Sequence, residues 1–312
     1  MQPRIIFMGT PDFAVASLDA LVKAGYNVVA VITATDKMGG RGGKQLLESA
    51  VKKYAVANDI PVLQPKNLKA PDFLANLASY QADLQVVVAF RMLPKVVWAM
   101  PALGTFNLHG SLLPKYRGAA PINWAVINGD TETGVTTFFI QEEIDTGDLI
   151  FQEKMSIGKN ESVGEVHDRM MIMGAQAVVK TVEAIANGAI TPQQQDHSQA
   201  SPAPKLTAEN TRIDFAQPAK KVHDFIRGLN PYPTAWTTLA NEKWKILKTI
   251  PIQENHALPP GTIVTDGKND FKIATQDGFL EVLELQVPGK RRMNTKDFLN
   301  GWRSDQELES FL

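Results

Sequence analysis

The chain has 312 residues, 44% of them hydrophobic and 21% charged, and no cysteine. That length and apolar content suit roughly two domains with a sizeable core, and exclude intrinsic disorder, collagen-like repeats and a disulfide scaffold. The absence of Cys also excludes thiolate zinc sites, iron–sulfur clusters and cysteine nucleophiles, and a net charge of −1 gives no bulk signal for nucleic acid.

The opening apolar run, Ile5 to Met8, is too short for a secretory signal, and no run reaches the roughly 20 residues a membrane helix needs. The expected location is the cytoplasm. In chain order, runs rich in Val, Ile and Phe at 4–8, 27–33, 84–89 and 105–108 predict buried strands. Apolar residues at 14, 15, 18, 21 and 22 predict a helix over 12–24, capped by Asp12 and stopped by Gly25. Residues 47–57 and 70–80 carry helical patterns, and another helix begins at Ile122. This alternation predicts an α/β domain on a doubly wound, mostly parallel sheet.

Residues 134–140 and 148–157 predict two further strands about an acidic turn. A long amphipathic helix follows over 162–187, opened by the capping-box pair Ser162 and Glu165 and closed by Gly188. The polar stretch 190–206, with three prolines, reads as a linker between a catalytic domain (1–189) and a second domain (207–312). In the second domain, a helix over 218–229 precedes the turn Asn230-Pro-Tyr-Pro. Strands at 235–239, 244–249, 261–265, 271–275 and 279–287 then predict a small β-barrel. Trp98, Trp124, Trp236 and Trp244 lie in apolar patterns and are read as core residues, while His167, His197, His223 and His256 have no partner pattern.

The first turn, Gly9-Thr-Pro-Asp-Phe13, lacks the Gly-x-Gly-x-x-Gly dinucleotide fingerprint, which disfavours a nicotinamide dehydrogenase. Gly39-Gly-Arg-Gly-Gly-Lys44 is followed by Gln45 rather than Ser or Thr, so it is no P-loop. The His residues have no ligand spacing, and no metal is expected.

The densest polar cluster on apolar structure is Asn107-Leu-His109 at the C-terminal end of a predicted strand, where open α/β sheets place their ligands. Alternation puts both side chains on one face. Taken alone, such a pair reads as a core histidine and an asparagine that starts a turn. Its context is a long, Pro- and Gly-containing turn, 110–121, too particular for a generic connection. Asp145-Thr-Gly-Asp148 is either a hairpin of solvated acids or the source of a carboxylate for His109. An Asn to stabilise an oxyanion, a His to move protons and an Asp to orient it suit acyl transfer to an amine.

At these residues the chain resembles the folate-dependent formyltransferases, which move a formyl group from 10-formyltetrahydrofolate to an amine. The similarity rests on Asn107-x-His109, the run from Ser111 to Ile122, and Asp145-Thr-Gly-Asp148. It extends to the opening run from Ile5 to Ala14, Lys205-Leu-Thr, Arg212-Ile-Asp-Phe and the run from Ile226 to Trp236. The second domain and the loop around Arg41 point to the branch whose acceptor is charged initiator methionyl-tRNA.

The resemblance implies a Rossmann-like formyltransferase domain followed by an OB-like barrel. It implies that Asn107, His109 and Asp145 are catalytic. Phe90, Arg91 and Leu93 would hold the pterin, and Ser111, Leu112, Leu113 and Pro114 would line the folate. Arg41 and Lys44 in an inserted loop, and Lys205 near the barrel, would bind tRNA. The chain departs from the family at Phe90-Arg91, where Tyr-Gly is usual, and at Glu48 in the inserted loop. A soluble monomer is expected. The competing readings are a formyltransferase acting on a glycinamide ribonucleotide or an amino sugar nucleotide, a formate-releasing hydrolase, and a non-catalytic RNA-binding protein.

Overall fold

The computed structural model describes residues 2–40, 42–302, 310 and 311. Its Cα packing divides the chain into two compact units. The first comprises Met1–Gly118, Gly134–Met155 and Asp168–Pro202, and the second Ala119–Thr133, Ser156–His167 and Ala203–Leu312.

The chain begins with β1 (Arg4–Gly9), α1 (Asp12–Lys23), β2 (Asn27–Ile32), β3 (Lys37–Gly39) and β4 (Gln45–Leu47). It continues through α2 (Ala50–Ala57), β5 (Val62–Leu63), α3 (Pro71–Ser79), β6 (Leu84–Val88), α4 (Lys95–Trp98) and β7 (Thr105–His109). Then follow β8 (Arg117–Gly118), α5 (Pro121–Ile127), β9 (Glu132–Phe139), β10 (Leu149–Ser156) and α6 (Val163–Ala186). Seven strands form one sheet in the order β10-β9-β7-β6-β1-β2-β5. β1 pairs in parallel with both β2 and β6, and β6 with β7, while β7 and β9 are antiparallel. The chain winds outward from β1 to β5, then returns to the other side through β6 and β7. That reversal is the switch point of a doubly wound sheet.

Burial explains the strand sequences. Ile5, Ile6, Phe7 and Met8 are all fully buried, so β1 carries apolar side chains on both faces and shows no alternation. On one face Ile6, Met8, Ala30, Ile32 and Val87 pack with Leu77, Leu93 and Val97. Two local expectations are corrected. Asp12 does not cap α1; Pro11 holds the cap position, and Asp12 sits in the first turn, where its charge favours the positive end of the helix. The helix expected over 47–57 begins only at Ala50, because Ser49 caps it by accepting a hydrogen bond from the Lys52 N–H at 3.0 Å. Leu47 belongs instead to the β3–β4 hairpin.

The second unit contains β11 (Pro202–Ala203) in part, then α7 (Ala219–Arg227), β12 (Ala235–Leu239), β13 (Glu242–Gln253) and β14 (Ile263–Thr265). It ends with β15 (Phe271–Ala274), β16 (Gly278–Gln286), β17 (Met293–Asn294) and α8 (Thr295–Asn300). Its antiparallel sheet runs β12-β13-β16-β15-β14, with β17 beside β16. The core is aromatic: Trp244 meets Phe298 and Phe311 edge-on, each at 5.6 Å between ring centres. Trp124 and Trp236, expected in cores, are only half-buried, because each indole N–H donates to a backbone carbonyl near the surface, Pro204 and Ala208, both at 2.8 Å.

His223 on α7 is 2% exposed, and its Nδ1 lies 3.1 Å from the Thr249 hydroxyl. Burial pushes its imidazole down from the ordinary 6.5 to about 4. Between those two values the unfolded chain binds a proton that the folded chain excludes, so stability falls as pH is lowered through this window. Lowering the pH from 7 to 5 should cost wild type about 2 kcal/mol more than it costs His223→Gln. Guanidinium titrations of both proteins at the two pH values measure this directly, and equal losses would remove His223 as the cause.

Candidate active site

Asn107 and His109 occupy alternate positions on β7 and therefore share a face of the sheet. The register places Asn107 beside Val87 on β6 and Phe138 on β9, and His109 beside Thr136. The strand delivers both side chains at its C-terminal end.

The His109 ring is 6% exposed and held from both sides. Its Nε2 lies 2.8 Å from the Tyr116 carbonyl oxygen. A carbonyl can only accept, so this contact assigns the neutral ring's proton to Nε2. Nδ1 is then the basic nitrogen, and it faces Asp145 Oδ2 at 3.8 Å. The ring edge also contacts Phe138, with 6.4 Å between ring centres. A proton gained at Nδ1 would thus meet a carboxylate, and both N–H groups of the imidazolium would face oxygens.

Asp145 is held by its own backbone conformation and by the loop after β7. Its backbone lies in the left-handed region, φ +57, and its Oδ2 accepts the Gly118 N–H at 2.8 Å. Asn107 contributes a different feature: its buried Oδ1 has no hydrogen-bond partner. Buried polar atoms are ordinarily satisfied, so this carboxamide keeps bonding capacity in reserve.

The loop after β7 is pinned to β9. The Thr136 hydroxyl donates to the Ser111 carbonyl at 2.6 Å and accepts the Leu113 N–H at 3.0 Å. Ser111 Oγ donates to the Lys115 carbonyl at 2.6 Å, and Gln152 Nε2 donates to the Leu113 carbonyl at 2.8 Å. Ser111 and Leu113 are buried, while Leu112 and Pro114 are half-buried. Phe90, Arg91 and Leu93 follow β6, the sheet neighbour of β7, so both loops leave parallel strands at the same end. Leu93 is buried, and Phe90 packs on its cluster. The Arg91 guanidinium turns back to donate to the carbonyls of Pro65 and Lys66.

Sequence reasoning missed Gln195. It stands in the polar stretch expected as a linker, yet it is 5% exposed. Its Nε2 donates to the carbonyls of Asp145 and Gly147 at 2.9 and 2.8 Å, while its Oε1 accepts from Arg117. One amide therefore braces the acidic turn against the long loop. A run of glutamines carries no pattern that separates this one from solvated neighbours.

The remaining expected residues lie elsewhere. Lys44 is exposed on the β3–β4 turn, and Lys205 is exposed in the second unit. Arg41 lies outside the described residues. Among the described residues no group of three or more His, Asp or Glu side chains is gathered as metal ligands are, and no helix is long and apolar enough to cross a membrane.

Comparison with known proteins adds the following. The family model described as formyl transferase matches residues 3–182, and the formyl transferase C-terminal domain matches residues 205–303. A methionyl-tRNA formyltransferase of Bacteroides thetaiotaomicron is 55% identical over 309 residues, covering 96% of each chain. One of Flavobacterium johnsoniae is 52% identical over 313 residues, covering 99% of each. Among solved structures, the sugar 3N-formyl transferase WlaRD, crystallised with dTDP and 5-N-formyl-THF, superposes with a TM-score of 0.66 at 22% identity. That match covers 93% of this chain and all of the other, and at this identity it speaks for the fold.

The glycine of Asp145-Thr-Gly-Asp148 has a steric reason. A Cβ at Gly147 would stand 1.7 Å from the Phe139 carbonyl oxygen, a distance no flexible side chain can relieve. Gly147→Ala should therefore cost at least about 2 kcal/mol in a denaturant titration, by forcing the turn off β9. A variant as stable as wild type would show that the turn tolerates the displacement.

Proposed function

The chain belongs to the formyl transferase family, and from that membership we propose that it transfers a formyl group from 10-formyltetrahydrofolate to the α-amino group of charged initiator methionyl-tRNA. The acceptor is supported by near-full-length relatives that carry the name methionyl-tRNA formyltransferase. The reaction is supported above all by one observation: Asn107, whose carboxamide carries N–H donors, stands on the same strand face as a histidine backed by Asp145. This is a donor and a proton carrier side by side, without a side-chain nucleophile, as attack by an external amine requires.

The folate donor supplies the activated formyl group. The loop 90–93 holds its pterin and the segment 111–114 lines its path, both at the strand ends where such sheets bind ligands. Asn107 donates its amide N–H to the formyl oxygen as that oxygen gains negative charge. His109 takes a proton from the attacking amine at Nδ1 and returns it to the departing nitrogen. Asp145 balances the charge the ring carries in between, from a distance of 3.8 Å that a closer contact would strengthen. The Tyr116 carbonyl keeps the ring oriented throughout by accepting from Nε2.

Lys44 on the hairpin turn, Lys205 in the second unit and Arg41 contact tRNA phosphate. Such contacts add affinity that falls as salt rises. They suit a chain whose net charge is only −1, because the cations are local.

His109→Ala should lower kcat by at least about a thousandfold while leaving tRNA affinity within about twofold. Arg41→Ala and Lys44→Ala should do the reverse, raising KM for tRNA about tenfold each with little change in kcat. Transfer of radiolabelled formyl to charged initiator tRNA, with filter binding alongside, separates the two classes. Unchanged turnover in His109→Ala would remove its proton-transfer role.

A further inference from the structure

The β3–β4 hairpin has little to hold it in place by itself. Each strand is three residues long, and the side chains of Met38, Leu46 and Leu47 are 64%, 54% and 47% exposed. Its turn, between Gly39 and Lys44, contains Gly40, Gly42 and Gly43, all at positive φ. An isolated two-stranded ribbon of this size has marginal stability in water. Its direction must therefore be set where it joins the sheet.

Both ends of the ribbon are tied there to one ammonium group. Lys52 on α2 pairs with Asp36, the residue before β3, and with Glu48, the residue after β4, the latter at 2.7 Å. Asp36 is held from its other oxygen by Gln64 Nε2 at 2.8 Å, and that same amide donates to the Ala34 carbonyl at 2.7 Å. Ser49, next to Glu48, lies 2.7 Å from the Thr33 hydroxyl while its own hydroxyl caps α2. The Lys52 and Asp36 side chains are only 18% and 21% exposed. Both groups are biased toward their charged forms: hydrogen bonding to Asp36 raises the Lys52 ammonium, and hydrogen bonding to Lys52 lowers the Asp36 carboxyl.

An isolated surface ion pair contributes little to stability. Here the pairing has another consequence, because it closes the ribbon's entry and exit strands onto a helix that packs on the sheet. We propose that Lys52 is a positioning residue: by clamping Asp36 and Glu48 together it aims the β3–β4 hairpin, and with it Lys44, at the tRNA acceptor. This accounts for Glu48, a carboxylate in a segment meant to approach phosphate, since it faces Lys52 instead of the RNA. The proposal rests on the tRNA reading given above, but its mechanical half is independent of any substrate.

The native chain has no cysteine, so Leu46→Cys provides a single site for a nitroxide spin label. In the otherwise wild-type chain the label should report restricted motion. In the Lys52→Met background its lines should narrow, and Lys52→Arg should restore the restricted spectrum. In unlabelled protein, Lys52→Met should raise KM for charged tRNA about tenfold with kcat within about twofold, and Lys52→Arg should recover most of that loss. A label equally restricted with and without Lys52 would overturn the clamp. A mobile label with an unchanged KM would overturn its role in presenting the hairpin to tRNA. A mobile label in a protein whose wild type shows no transfer to tRNA would instead overturn the substrate reading and leave the clamp standing.

Discussion

The buried imidazole of His109 makes demands that much of the first unit is arranged to meet. A neutral ring whose Nε2 donates to a backbone carbonyl needs an acceptor that stays in place, and Tyr116 supplies it from a residue at φ +62. A ring that gains a proton inside protein needs a nearby negative charge, because desolvation disfavours the charged form. Asp145 supplies that charge from a separate segment. Three stretches distant in sequence must therefore meet: the loop after β7, the turn after β9, and the irregular stretch around Gln195.

Each junction is made by a group with no chemistry of its own. Thr136 holds the loop through its hydroxyl, donating and accepting at once. Gln195 holds the acidic turn through two carbonyls and Arg117 through its oxygen. Gly147 lets the turn approach the backbone of Phe139 closely. Positioning catalytic groups within a fraction of an ångström depends on such supports as much as on the groups themselves. Asn107 differs from these supports in that its buried Oδ1 has no hydrogen-bond partner.

The fold was largely legible because burial dictates its signals. The fully buried run Ile5 to Met8 announces a parallel-sheet strand, and Gly25, at φ +78, ends α1 as its position suggests. Asp12 and Ser49 show the limit. Both can cap a helix, and the choice between cap and first turn depends on one residue of backbone geometry that composition does not encode. Asn107 and His109 were legible as a pair because strand periodicity is strict. Gln195 was not, since its role comes from a tertiary contact between segments about 50 residues apart. The Lys52 clamp was hidden for the same reason: Asp36, Glu48, Lys52 and Gln64 converge only once β2, α2 and β5 have packed.

The central claim is that this site formylates an aminoacyl-tRNA rather than a small amine. The most direct measurement offers wild-type protein 10-formyltetrahydrofolate with charged initiator methionyl-tRNA, a glycinamide ribonucleotide and an amino sugar nucleotide in parallel, and follows radiolabelled formyl. The account predicts rapid transfer to the tRNA and none to the two small amines. Transfer to either small amine, with the charged tRNA left unmodified, would keep the chemistry of Asn107, His109 and Asp145 and contradict the acceptor assigned to it.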